Sequence, residues 1–396
     1  MQVYLDNAST TKMSREAVEA MVPYYEQVYG NPSSLHSMGQ RAKEVLEQAR
    51  QSVAQCLGAQ PNEIYFTSGG SEADNQAILS AAKAGARKGK KHIVTTAFEH
   101  HAVLHTLRRL EKDGYEVTYL SVGKQGNVTA DDVAAAIRED TCLVTAMTAN
   151  NEIGSVLPIA SIGAVCRERK VPFHTDAVQA VGHIPIDVAA MNVDMLSLSA
   201  HKFHGPKGVG VLYAKKGMPL TNLIEGGAQE RGRRAGTENI AGIVGLSVAL
   251  REATDHLEGN MQRIAALRDK LIHGLSAIPH SVLNGDRVNR LPGNVHFCFE
   301  GIEGESLLLL LDEYGIEASS GSACTSGSLD PSHVLLAIGH PHEIAHGSLR
   351  LTLSTYTTDA DIDLALTAVP QVVERLRNMS PVWRDKVNGV KPFLLK

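Results

Sequence analysis

Lys202 stands in the run Ser199-Ala200-His201-Lys202-Phe203-His204-Gly205, directly after an apolar stretch, and Asp176 ends a second strand-like stretch, residues 171–176. A primary amine can form a Schiff base with an aldehyde, and a carboxylate can keep a pyridine nitrogen protonated so that the ring withdraws electrons. These are the two groups that pyridoxal 5'-phosphate chemistry asks of a protein. An isolated lysine after a strand would sit in solvent, but here Gly205, Gly208 and Gly210 follow it and permit close approach of backbone to a ligand. Asp176 alone reads equally well as a helix N-cap. Beside Lys202 it reads as the partner of the pyridine nitrogen, and Gln179 as a donor to the phenolate oxygen of the same ring.

A third group belongs with these. Residues 64–75 read as a strand, a Gly-Ser turn containing Gly70 and Ser71, and a helix beginning near Glu72. Backbone N–H groups at such a helix start, together with the Ser71 hydroxyl, can hold a phosphate. On its own the turn is ordinary capping; Ser199 and His201 on the Lys202 segment offer further phosphate donors.

Elements that would position these residues are visible in the pattern. Leu35, Ala42, Val45, Leu46, Ala49, Val53, Cys56 and Leu57 recur at helical spacing before Gly58, a natural stop. Seven short β-rich runs, near residues 64–67, 92–96, 116–120, 142–147, 172–175, 195–199 and 209–213, alternate with helical patterns. This predicts an α/β fold with a mostly parallel seven-stranded sheet covered by helices. A long helical pattern from about 240 to 278 precedes a strand at 294–299 and a leucine-rich helix at 307–311. We place a large domain at 14–255 and a smaller α/β domain at 1–13 plus 256–396, and no fixed-period repeat is evident.

Composition excludes several function classes. The chain has 396 residues, 43% hydrophobic and 20% charged, with a net charge of −5, which is ordinary for a globular enzyme and gives nucleic acid no electrostatic footprint. The basic run 87–91 reads as a solvated helix end. No apolar stretch approaches the ~20 residues that span a bilayer, and the N-terminus lacks signal-peptide character, so the expected location is cytoplasmic. Five cysteines, at 56, 142, 166, 298 and 324, include no Cys-x-x-Cys pair. Four sit in apolar strand or helix patterns and read as core residues. Cys324 lies among Ser, Gly, Ala and Thr from Ala318 to Ser328, a linker-like composition, before a helix start at Asp330-Pro331. Neither His100, His101 and His105 nor His340, His342 and His346 has the companions of a structural zinc site. They read as surface or capping residues, His100 excepted.

Taken in order, these motifs resemble the group I cysteine desulfurases of the NifS/IscS kind, in the class V branch of fold-type I pyridoxal phosphate enzymes. The resemblance runs through nearly the whole chain. It is carried by residues 4–11, Gly30-Asn31-Pro32, Thr67 to Glu72, Glu99-His100, Asn150-Asn151-Glu152-Ile153-Gly154, Asp176 to Gln179, Ser199 to Lys202, Glu230 to Thr237, Ser319 to Ser328 and Leu349-Arg350. The wording of residues 149–152, 174–182 and 345–350 is nearer the nitrogenase-maturation form than the housekeeping form. Ser71, where most members carry Thr, keeps the hydroxyl, and Ala8-Ser9 is a similarly mild departure.

The resemblance implies a transferase that binds pyridoxal 5'-phosphate and takes sulfur from L-cysteine, leaving L-alanine and a persulfide on Cys324. By the same resemblance His100 stacks on the cofactor ring, and Gly70 and Ser71 meet the phosphate. Asn151, Asp176 and Gln179 surround the ring, and Ser199, His201 and Lys202 serve phosphate and Schiff base. Arg350 and Asn31 hold the substrate, and His100 is the first candidate to activate Cys324. Thr237 would reach the phosphate of a neighbouring subunit, implying a homodimer. An iron–sulfur scaffold protein is the expected acceptor, touching Cys324 during transfer, with no structural metal, no nucleic acid and no membrane as partner. A selenocysteine lyase, an aminotransferase and a non-enzymatic iron–sulfur assembly protein are the alternatives. At the C-terminus, Trp383 and Phe393 admit two readings, as anchors for that scaffold or as residues packed back on the chain.

Overall fold

The computed structural model describes residues 2–321 and 331–395. Seven strands form the central sheet, in the spatial order Ile64–Thr67, Gly210–Ala214, Met195–Ser199, Phe173–Asp176, Thr141–Thr145, His92–Thr96, Glu116–Leu120. The strand Gly210–Ala214 runs antiparallel to both neighbours, and the other pairings are parallel. The alternating strand and helix patterns thus gave the expected sheet. Its middle strands are buried at every position, as a sheet with helices on both faces requires.

The helix Ser37–Leu57 buries Ala42, Leu46, Ala49, Val53, Ala54 and Leu57, is capped by the His36 side chain, and ends at Gly58 with φ 69°. Leu35, which the spacing assigned to its apolar stripe, precedes the helix and is 94% exposed. The helical pattern from 240 to 278 is two helices, Ile240–Asp255 and Leu257–Leu275, parted at His256, whose φ and ψ of −107° and 13° are not helical.

A second apolar core lies around a three-stranded antiparallel sheet of Ser281–Leu283, Asn294–Phe299 and Ser348–Thr352. Helices Leu257–Leu275, Gly304–Glu313 and Asp359–Met379 contribute to it. The start of the chain joins this part of the molecule: Val3–Tyr4 pairs in parallel with Ile316–Glu317, and the Thr352 N–H donates to Leu5 O at 2.6 Å. Residues 6–11 therefore cross from the second core to the edge of the first. Among the described residues no helix is long and apolar enough to cross a membrane.

The C-terminal residues fold back. Phe393 stacks on His280 with ring centroids 3.8 Å apart, and Trp383 lies 5.2 Å from Phe393 and 4.0 Å from the Arg377 guanidinium. Of the two readings of Trp383 and Phe393, the structure has them packed on the chain itself.

Candidate active site

A cavity of about 270 Å³ opens where the parallel strands end, the position at which open α/β sheets bind ligands. Strand Phe173–Asp176 delivers Asp176, only 5% exposed, and strand Met195–Ser199 delivers Ser199. One turn of 3₁₀ helix, Ala200–Lys202, then swings Lys202 into the same space. Its ammonium donates to the carbonyl oxygens of Ala8 at 2.7 Å and Ser9 at 2.8 Å. The Lys202 carbonyl is held in turn by His183 Nε2 at 2.9 Å.

Burial sets the charges. Asp176 is pushed up to about 6 by desolvation, against an N–H bond from Val178 and the nearby Lys202. His100 caps the helix His101–Lys112, its Nδ1 accepting from Ala102 N at 3.1 Å. Burial, helped by Lys202, holds the ring down at about 4. It is therefore a neutral imidazole at pH 7, with its other nitrogen carrying the proton. His201, Nδ1 3.1 Å from Thr10 Oγ1, is likewise held down at about 4 by burial and Lys202.

Helix Gly70–Ala86 begins at this cavity, two residues before the expected Glu72. A side chain at Gly70 would meet Val178 Cγ2 at 2.5 Å, so the close approach needs glycine. Ser68 to Ser71, Ser199, His201 and Lys207 line an adjoining cleft of about 350 Å³. A 17-residue helix directs its positive end there, beside a lysine. This is an anion cradle next to an amine, and a buried carboxylate stands at the far wall: the donor set fits pyridoxal phosphate.

Asp74, which the sequence reading did not single out, lies beside Asp176. It is 1% exposed, and burial and then the Asp176 charge push its carboxyl well up. Ligand atoms of Asp74, His100 and Asp176 all lie within 4.8 Å of one another. Such a trio can hold a metal, but the amine and the helix terminus in the same space suit an anionic carbonyl compound. Its signal in the sequence was one of spacing: Asp74 shares the buried stripe of Ala73, Ala77, Ile78 and Ala81.

Arg350, in strand Ser348–Thr352, is almost fully buried and lines the cavity. Its Nη2 donates to Asp6 Oδ1 at 3.0 Å and Ser9 Oγ at 2.7 Å, and its Nη1 to Asn151 O at 3.0 Å. Nε is buried without a partner among the described residues. Asn151 and Gln179 also line the space, and Gln179 Nε2 donates to Ala8 O at 2.9 Å, the acceptor it shares with Lys202.

Two expected residues are not brought into this cavity. Asn31 is exposed, and its side chain accepts from Ser33 N at 2.9 Å. Thr237 is exposed and lines a separate hollow with Ser68, Gly208 and Arg234. Its loop is anchored: Glu230 is buried and takes two 2.8 Å bonds from Arg50 and one from Phe66 N. Cys324 lies outside the described residues.

The chain matches the family model for class-V aminotransferases over residues 3–365. It is 56% identical over 380 residues to a cysteine desulfurase IscS of Methanosarcina thermophila, covering 96% of this chain and 94% of the relative. With an IscS cysteine desulfurase of Clostridium botulinum it shares 54% identity over 387 residues, covering 97% of each. A solved NifS-like protein superposes with a TM-score of 0.89 at 38% identity, covering 95% of this chain and 100% of that one. This chain belongs to the class-V aminotransferase family, whose members are fold-type I pyridoxal phosphate enzymes.

Proposed function

We infer that this protein is a cysteine desulfurase that takes sulfur from L-cysteine, releases L-alanine and carries the sulfur as a persulfide on Cys324. The observation that carries the reading is the convergence of Lys202, Asp176 and Arg350 in one cavity, on a chain similar along nearly its whole length to proteins of that name. When bound, pyridoxal phosphate supplies an electron sink for negative charge at the substrate Cα.

The protein does the rest. The helix start at Gly70 and Ser71, with Ser199 and His201, holds the phosphate, and Asp176 keeps a proton on the ring nitrogen. Neutral His100 covers the ring, and Asn151 and Gln179 flank it. Arg350 binds the substrate carboxylate through charge-assisted hydrogen bonds, with Nε–H the donor that has no partner among the described residues. Lys202 takes the Cα proton and returns it. The Cys324 thiolate attacks the substrate sulfur: an S–S bond forms, the Cβ–S bond breaks, and the electron pair left on carbon is protonated on the way to alanine. Only the thiolate is nucleophilic enough for this step, and we assign His100 to favour it by donating its Nε2–H to the sulfur.

Around this core we place a large domain at 14–255 and a smaller one at 1–13 and 256–396. The working form is a cytoplasmic homodimer in which Thr237 completes the neighbour's phosphate site and Asn31 the substrate site. An iron–sulfur scaffold protein accepts the sulfur; nitrogenase maturation is the narrower version and rests on motif wording alone. Nucleic acid and membrane have no part in the reading.

The test supplies cofactor-loaded protein with L-cysteine and a reductant, measuring alanine and sulfide and locating the persulfide by mass spectrometry. One alanine per sulfide, with persulfide on Cys324 and none of either product from Cys324→Ala, is the expected result. Normal alanine formation by Cys324→Ala would sink the assignment.

A further inference from the structure

We propose that Glu152 is a positioning residue for the sulfur-accepting half of the reaction, because it bonds one and lies against the other of the described chain ends that bracket residues 322–330. The proposal rests on the desulfurase reading above and concerns only how those ends are fixed.

Glu152 is a carboxylate at 1% exposure, where an acid needs partners. Ser332 Oγ–H donates to its Oε2, which fixes the chain where it returns. Gly321, where the chain departs, packs against the same oxygen: a Cβ added there would stand 3.0 Å from Glu152 Oε2 and 3.5 Å from His296 Nε2. Gly321 also has φ +110°, a conformation reserved for glycine. Both ends are secured further. Ser319 exchanges backbone hydrogen bonds with Arg350 at 2.6 and 3.2 Å, and Ser320 O accepts from Ser348 Oγ at 2.8 Å. On the return side, His333 Nε2 lies 3.0 Å from Glu99 O. The departing end is thus tied to the strand that carries Arg350, and the returning end to the segments that carry His100 and Asn151. Glu152 is the residue common to the two, and Arg350 Nη1 bonds Asn151 O immediately before it. His296 Nε2, buried and without a partner in the described residues, faces the same spot, 3.5 Å from where a Cβ on Gly321 would stand.

This arrangement fixes the two described ends, Gly321 and Ser332, relative to the carboxylate clamp and the ring-covering imidazole. It plays no part in proton removal at Cα. Loosening it should slow persulfide formation and leave the earlier steps alone.

Ser332 gives the cleanest test, because its hydroxyl has two duties. It bonds Glu152, and it caps the helix His333–Ala337 by accepting from Val334 N and Leu335 N. Ser332→Thr keeps both duties, Ser332→Ala loses both, and Ser332→Asp keeps the cap while setting a second carboxylate against Glu152. Cofactor-loaded variants are mixed with L-cysteine. The change in cofactor absorbance reports the steps before sulfur leaves, and mass spectrometry reports persulfide on Cys324 in a single turnover. We expect the absorbance change to stay within about twofold of wild type throughout. Persulfide formation should hold in Ser332→Thr and fall about tenfold or more in both Ser332→Ala and Ser332→Asp, the last recovering at low pH as the facing acids share a proton. Gly321→Ala should show the same selective loss. Wild-type persulfide rates in Ser332→Asp would overturn the proposal, leaving Ser332 a helix cap only. Absence of persulfide in the wild-type enzyme would overturn the desulfurase reading and this proposal with it.

Discussion

The ammonium of Lys202 donates to the carbonyl oxygen of Ala8 at 2.7 Å, so the residue we place at the centre of the chemistry is held by a segment from the far end of the chain. Residues 6–11 also supply Asp6 and Ser9 to Arg350. A single stretch of backbone therefore sets the spacing between the Lys202 amine and the Arg350 guanidinium. Lys202→Ala should retain cofactor through its phosphate contacts yet lose at least about 10³-fold in kcat, the scale of a missing acid–base group. Borohydride should bleach the wild-type protein and fix the cofactor to Lys202. Labelling at any other lysine would remove Lys202 from its assigned role.

For Arg350 the expected effect lies mainly in KM. Hydrogen bonds to charged groups are worth about 1.5–3 kcal/mol, so Arg350→Gln should raise KM for L-cysteine by about 10- to 100-fold with a smaller change in kcat. Lysine should not rescue it, since a point charge cannot reproduce the planar fork. Asp6→Asn weakens the orienting ion pair and should give a milder rise. Steady-state kinetics beside a melting curve separates a binding defect from a folding defect, and an unchanged KM in a folded Arg350→Gln protein would argue against the clamp.

Lys202 and Asp176 were legible in the sequence because each ends a short apolar strand pattern, and the ends of parallel strands are where a sheet presents its functional groups. Gly70 was legible as a turn, though the helix begins there and not at Glu72. Glu152 was not legible as a buried acid, because in sequence it is one carboxylate among many, and Asp74 was legible only through its place among Ala73, Ala77, Ile78 and Ala81. The burial of both acids comes from strands and loops distant along the chain. The break at His256 carries neither Gly nor Pro, so helical periodicity ran straight through it. Asn31 and Thr237 came from resemblance alone, and within one chain neither lines the Lys202 cavity.

Buried acids give the cofactor-free protein a characteristic pH dependence. Glu99 accepts from Thr96 Oγ1 and Met147 N, but desolvation still pushes it up to about 8. Because its folded value lies above the unfolded one, the stability it contributes is fully present below about pH 4.5 and lost as the pH rises to about 8. Asp74 acts in the same direction. The buried imidazoles of His174 and His183, held down at about 3 and 4, work oppositely, but only below their ordinary 6.5. Between pH 6.5 and 8 the melting temperature should therefore fall, each group contributing up to about 1.4 kcal/mol per pH unit. Glu99→Gln should flatten that decline. A slope unchanged by the substitution would show that Glu99 is already ionised across the window.

The C-terminal segment allows the last prediction. Lys386 is buried and pairs with Glu300 at 2.7 Å and Glu343 at 2.8 Å, while Glu300 also accepts from Leu394 N and Leu395 N at 2.8 Å. Trp383 fills the space over Gly301, where an added Cβ would meet its ring at 2.5 Å. With His280 and Phe393 completing the cluster, the segment acts as a clasp on the second core. Breaking a buried pair by removing one partner costs about 3–5 kcal/mol, and an exposed tail would cost almost nothing. Truncation after Met379, and Trp383→Ala to a smaller degree, should therefore lower the melting temperature. Alanine formation and sulfur delivery to a scaffold should decline together at elevated temperature, because both need the second core intact. If truncation left the melting temperature and alanine formation unchanged and slowed only delivery to the scaffold, the segment would be a docking surface and its packing here incidental.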